Sequence, residues 1–159
     1  MRRLLELCVG FVTSIMIAAS AMGASTPEIT GIATGTELCF QFLCQVAIFG
    51  GDVQLQVDGK PRKGVFLVTV NHQSPLPDDE GESVLILDGD WAITTKKGSF
   101  SGIIAGGTIT RLAGDNYAIL AELTLEDGGT GTIFFGGTLS HEQFPFTVVG
   151  VISQTAPGP

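Results

Sequence analysis

The sequence predicts an all-β chain. We expect a single domain of about eight to nine antiparallel strands, closed as a meander barrel rather than a two-sheet sandwich, after an N-terminal signal peptide. Three observations carry that expectation. Beyond residue 24 the 3.6-residue apolar period of helices is almost absent, and β-branched residues, phenylalanine and glycine dominate. Turn clusters recur every eight to fifteen residues, the spacing of short strands joined as hairpins. Three apolar stretches also carry adjacent glycines at the same point, as a sharply bent sheet would require.

Residues 1–24 read as an export signal. Arg2 and Arg3 make a basic start, the run from Leu7 to Ala21 is uncharged and mostly apolar, and small residues follow in "AASAMGAS". Cleavage after Ala21 satisfies the A-x-A rule with Ala19, and cleavage after Gly23 or Ala24 also fits. The alternative is an uncleaved membrane anchor, since Leu7 to Ala24 approaches the length that spans a bilayer. Small residues at its end and the lack of a basic stop favour cleavage, and no cysteine stands where a lipid anchor would need one. The expected location is therefore secreted or periplasmic, with no membrane span after cleavage.

Without Arg2, Arg3 and Glu6, six basic residues stand against fifteen acidic ones, a net charge near −9. That surface repels phosphate backbones and anionic lipid, which argues against nucleic acid as a partner. Cys39 and Cys44 in "LCFQFLCQ" remain after cleavage, and an even count in an oxidising compartment points to a disulfide. Five positions apart, they face opposite sides of a regular strand, so pairing them requires a turn or bulge. Free buried thiols are the alternative.

Residues 25–153 hold the β-domain. Strands are expected near Ile29–Thr34, Cys44–Val57, Val65–Asn71, Ser83–Leu87, Trp91–Thr95, Phe100–Thr110, Tyr117–Leu125, Thr130–Ser140 and Phe146–Ile152. Between them lie "DGKPRKG" (Asp58 to Gly64), "SPLPDDEGE" (Ser74 to Glu82), "KKGS", "AGDN" and "EDGG", each rich in turn formers. Residues 154–159, "QTAPGP", read as a flexible polar tail.

The paired glycines are Gly50 and Gly51, Gly106 and Gly107, and Gly136 and Gly137. Aligning them gives one inward set of alternate positions: Ala47, Phe49, Gly51, Val53; Ile103, Ala105, Gly107, Ile109; Ile133, Phe135, Gly137, Leu139. An inner glycine removes a side chain where strands crowd and lets a strand coil, so these are expected to be corner residues. A second reading is that Gly51, Gly107 and Gly137 clear space for a ligand. A phosphate loop is excluded, because that device needs a helix after the glycine turn and here a strand follows.

Candidate chemistry is thin. His72 in "VNHQSP" and His141 in "LSHEQF" have polar neighbours and are expected as solvated loop residues. "PDDEGE" and "LDGDW" offer carboxylates but not the spacing of a calcium loop. Asp88 and Asp90 stand i, i+2 as a glycosidase pair might, yet the chain has one Trp and one Tyr with which to line a sugar cleft. No cofactor or metal site is expected. "GDW" (Gly89 to Trp91) resembles the G-x-W that opens lipocalin barrels, and "GDWAITTKKGSF" resembles the first strand of avidin-type barrels. That resemblance implies barrel architecture and assigns no ligand residue.

The function expected first is an exported, non-catalytic binding or structural module of the envelope or outside medium, its partner left open between an envelope protein and a small apolar ligand. The alternative is a calycin-like barrel holding a small apolar ligand against Phe49, Trp91 and Phe135. A secreted hydrolase using Asp88, Asp90 or His141 comes third.

Overall fold

A computed structural model describes residues 26–37 and 46–154. The leader with its cleavage sites, Cys39 and Cys44, and residues 155–159 lie outside the described residues. Eight strands follow one another: β1 (Ile29–Glu37), β2 (Val46–Val57), β3 (Lys60–His72), β4 (Ser83–Thr95), β5 (Gly98–Arg111), β6 (Asn116–Asp127), β7 (Gly131–Ser140) and β8 (Thr147–Ser153). Each pairs antiparallel with the next, and β8 returns to β1 through Gly31↔Ile152 to Thr36↔Thr147, closing the barrel. The expected all-β barrel is the observed fold, an up-and-down meander that gives every strand two neighbours.

The two ends of the barrel differ because the hairpins alternate in length. At one end, the turn end, β2–β3 and β4–β5 are joined by two residues each and β6–β7 by three. Asp58 and Gly59, both at positive φ, make the first of these a primed two-residue turn, so β3 starts at Lys60 rather than after the whole of "DGKPRKG". At the other end, the loop end, the described connections span 73–82, 112–115 and 141–146.

β4 is one strand where the sequence suggested two. Asn71 pairs with Asp88 but His72 pairs with Ile86, which leaves Leu87 as an extra residue and bends β4 at "LDGD". Beside it, β5 carries a second bulge. Ile104 faces Leu123 and Gly106 faces Glu122, so Ala105 is extra on that side. Gly106 and Gly107 take φ values of 154° and 157°, which side-chain-bearing residues rarely adopt, and this is where glycine is needed for its backbone.

The bulge corrects one inward set. Ile103 and Ala105 point to solvent, Ile103 at 43% exposure, while Phe100 and Ile104 point inward. One extra residue reverses which alternate positions face the core. Past the bulge Ile109 is buried on the expected phase, and the sets in β2 and β7 are as read from sequence.

The interior is apolar: Val53, Val57, Trp91, Ile93, Leu125 and Ile133 are all buried to 3% exposure or less. The outer wall carries exposed Asp52, Asp90, Glu122 and Glu126 among threonines and aliphatics. Outer-membrane barrels have the reverse pattern, polar inside and apolar outside.

Candidate functional site: the barrel interior and its polar cap

Large and small residues alternate across the interior, and the glycines are the small partners. Gly51 pairs with Gly35, and Gly137 with Gly150. A Cβ on Gly35 would sit 2.6 Å from the Phe66 ring, and one on Gly137 would sit 2.7 Å from the Phe135 ring. A Cβ on Gly150 would fall even closer to Phe135. The tip of the Phe66 ring therefore sits against Gly35, and that of the Phe135 ring against Gly137 and Gly150, which is how a narrow barrel accommodates phenylalanine. The glycines are both close-approach points between strands and seats for inward rings.

Those rings do not fill the barrel. A wholly apolar cavity of about 70 Å³ remains, and Phe49, Trp91 and Phe135 all line it, together with Phe66, Ile104 and Ala121. The three residues proposed from sequence as ligand contacts thus converge on one space. That volume is about half of the roughly 150 Å³ that holds a benzene in a dry protein cavity. Trp91 stands on the fourth strand, not the first as in the families its motif resembles. Its indole N–H donates across Gly102 to the Thr124 carbonyl at 3.2 Å.

The turn end is sealed. Arg62 faces inward with its guanidinium 5.5 Å from the centre of the Phe100 ring, a cation–π contact that covers the core from below. Ile29 and Val57 are 1% exposed at this level.

The loop end is capped by polar side chains on the same inward face. Glu37, the last residue of β1, is 9% exposed, and its carboxylate meets His141 Nε2 at 2.7 Å. The His141 ring packs 4.2 Å from the Phe146 ring and 5.2 Å from the Tyr117 ring. Arg111 extends over Tyr117, its guanidinium 4.8 Å from the ring centre, and donates to the phenol oxygen and, at 2.8 Å, to Asp115. Backbone bonds tie the cap together: Glu37 N–H donates to the Phe146 carbonyl and His141 N–H to the Asp115 carbonyl. Burial pushes the Tyr117 phenol above its usual range. Burial alone would lower Arg111, but the Tyr117 phenol and Asp115 carboxylate outweigh it and hold the guanidinium charged.

Both histidine expectations are corrected. His72 is 6% exposed with Nδ1 2.7 Å from the Gln73 carbonyl, and His141 belongs to the cap rather than to solvent. Polar neighbours in sequence misled because His72 is the last residue of β3, paired with Ile86, and the connection that carries His141 folds inward over the barrel end. Glu37, Arg111 and Tyr117 were not singled out from sequence at all. The available signal was their parity: each continues the inward alternation of its strand past the last apolar position. Asp88 and Asp90 face outward, Asp88 hydrogen-bonded to Asn71, away from the cavity. Asp78, Asp79, Glu80 and Glu82 are exposed in the β3–β4 connection, and among the described residues no three potential metal ligands cluster.

No family model, curated protein or solved structure matches the chain.

Proposed function

We propose that this chain is an exported, non-catalytic binding protein that holds a small apolar ligand inside its barrel. The observation that supports this reading is the wholly apolar cavity of about 70 Å³, on which Phe49, Trp91 and Phe135 converge. An apolar cavity of this kind stays dry, so an apolar guest displaces no bound water and gains dispersion contacts on every side. Export follows from the basic, apolar and small-residue order of residues 1–24.

Size sets the affinity. By proportion to benzene, the closed barrel takes a guest of about three heavy atoms. At no more than about 1.5 kcal/mol per heavy atom, such a guest binds at best near 0.5 mM. Tighter binding requires Phe49, Phe66 or Phe135 to turn aside for a longer molecule.

The test is xenon, a single apolar atom, followed by xenon NMR and by a xenon-pressurised crystal. Xenon is expected between Trp91 and Phe135, and Phe135→Asp is expected to abolish its binding. A cavity that stays empty under xenon pressure overturns the reading. A structural or interaction role has its own support in the adjacent outward residues Ile32, Val149 and Val151, 48–56% exposed on β1 and β8. A mass that rises with protein concentration would favour that role.

A further inference from the structure

We infer that the barrel's ligand carries a cationic head, and that Glu37 at the loop end receives it while the apolar body lies in the cavity. This rests on the interior-binding reading and adds to it a chemical class and a direction of access. The first support is geometry. Arg111, Tyr117 and Phe146 each stand two positions from a cavity-lining residue, Ile109, Ile119 and Val148, and Glu37 pairs across β1 and β2 with cavity-lining Phe49. Two strand residues are about 7 Å, so the cap lies one side-chain layer above the cavity and a chain of about six carbons spans the gap. Short turns and the Arg62–Phe100 contact close the turn end, so a ligand would have to enter past the polar cap of the loop end.

Charge decides the sign of the head. The loop end holds Glu37, Asp115 and Glu142, with Asp78, Asp79, Glu80 and Glu82 in the β3–β4 connection, against Arg111. That connection lies against the cap, because Gly81 N–H donates to the Arg111 carbonyl and Arg111 N–H to the Glu82 carbonyl. At the turn end, Lys60, Arg62, Lys63, Lys96 and Lys97 stand among Glu28, Asp58, Glu126 and Asp127, which leaves that end close to neutral. The charge of the barrel is thus polarised along its axis, with a negative mouth that draws cations and turns away carboxylates. Within the mouth, Arg111 is already held by Asp115 and Tyr117, whereas Glu37 is the buried, inward-facing carboxylate, with His141 Nε2 as its side-chain partner. An ammonium donates to that carboxylate as the imidazole does, and in a buried setting such a charge-assisted bond is among the stronger ones.

The discriminating experiment compares hexylamine, 1-hexanol and hexanoate by calorimetry or NMR titration on the mature protein. Hexylamine is expected to bind at least about tenfold tighter than hexanol, with hexanoate weakest, as one charge-assisted hydrogen bond implies. Glu37→Gln is expected to erase the preference for the amine while leaving hexanol binding in place. Because that variant also unpairs His141, the wild-type protein supplies a second readout: hexylamine, and not hexanol, must shift the side-chain resonances of Glu37 and His141. His141→Gln, which keeps the carboxylate, must keep the preference. Equal binding of amine and alcohol, or a preference that survives Glu37→Gln, overturns the head-group inference and leaves interior binding standing. Failure of all three probes, with xenon also excluded, overturns the interior reading itself.

Discussion

Phe49→Ala tests the interior most directly. Phe49 is 6% exposed and lines the cavity, so its removal merges the vacated ring volume with the existing 70 Å³. Losing the ring's transfer energy costs about 2 kcal/mol, and about 80 Å³ of added void at about 24 cal/mol per Å³ costs about 2 more. The expected destabilisation is therefore about 4 kcal/mol. For a domain of this size that lowers Tm by about 12–16 °C. The enlarged space is close to the 150 Å³ that admits benzene. Benzene at ten times its Kd should then return about 1.4 kcal/mol, read as a rise in Tm for the variant and none for the wild type. Calorimetric melts with and without benzene measure both effects. A variant that melts within a few degrees of wild type, or that benzene does not stabilise, refutes the reasoning: the walls would have collapsed and the interior would not be a preformed apolar site.

Gly150→Ala places a methyl where the Phe135 ring lies, so overpacking should cost about 1–3 kcal/mol, and the double variant with Phe135→Leu should recover most of it. Additive losses in urea melts would show that ring and glycine are independent. Ala121→Val grows into the cavity and should add up to about 1.6 kcal/mol of stability while halving xenon occupancy; a loss of more than 1 kcal/mol would mean that the void is not beside Ala121. Tyr117 has its phenol pKa raised by burial, so the folded state keeps that proton longer than the unfolded state does. Its contribution is full below the ordinary phenol value near 10 and is lost as pH rises through the higher folded value. Tyr117→Phe should therefore flatten the alkaline fall in urea midpoint, and parallel profiles would sink that assignment.

Strand positions were legible because closure of a narrow barrel imposes a strict period of two, and "DG", "KKG" and "EDGG" mark where each hairpin turns. Bulges were not legible. "LDGD" reads as a strand break and "IIAGGT" as an unbroken alternation, yet in each strand a single extra residue is absorbed by its neighbour, and only the pairing reveals it. That is why Ile103 was placed inside while Ile104 occupies the interior. The glycine pairs announced small inner positions without saying which ring each would seat, since Phe66 and Gly35 meet only once three strands are in register.

The polar cap was hidden for a further reason. Glu37 and His141 are 104 residues apart, and neither sits in a motif that names the other. What brings them together is closure: β8 joins β1, so the connection after β7 folds beside the end of β1, and the first and last hairpins share one mouth. The same topology sorts the charges. The lysines gather at the short turns, where Glu28, Asp58, Glu126 and Asp127 nearly balance them, while the carboxylates of the longer loops leave the capped end strongly negative. A barrel that only had to be stable has little to gain from turning the Glu37 carboxylate inward, because the desolvation of a buried charge is rarely repaid in full. An apolar pair at the same two positions would close the end as well. The placement of a carboxylate above an otherwise oily interior is the feature that separates a vessel for a cationic guest from a plugged cylinder, and titration of Glu37→Gln with hexylamine is where the two diverge.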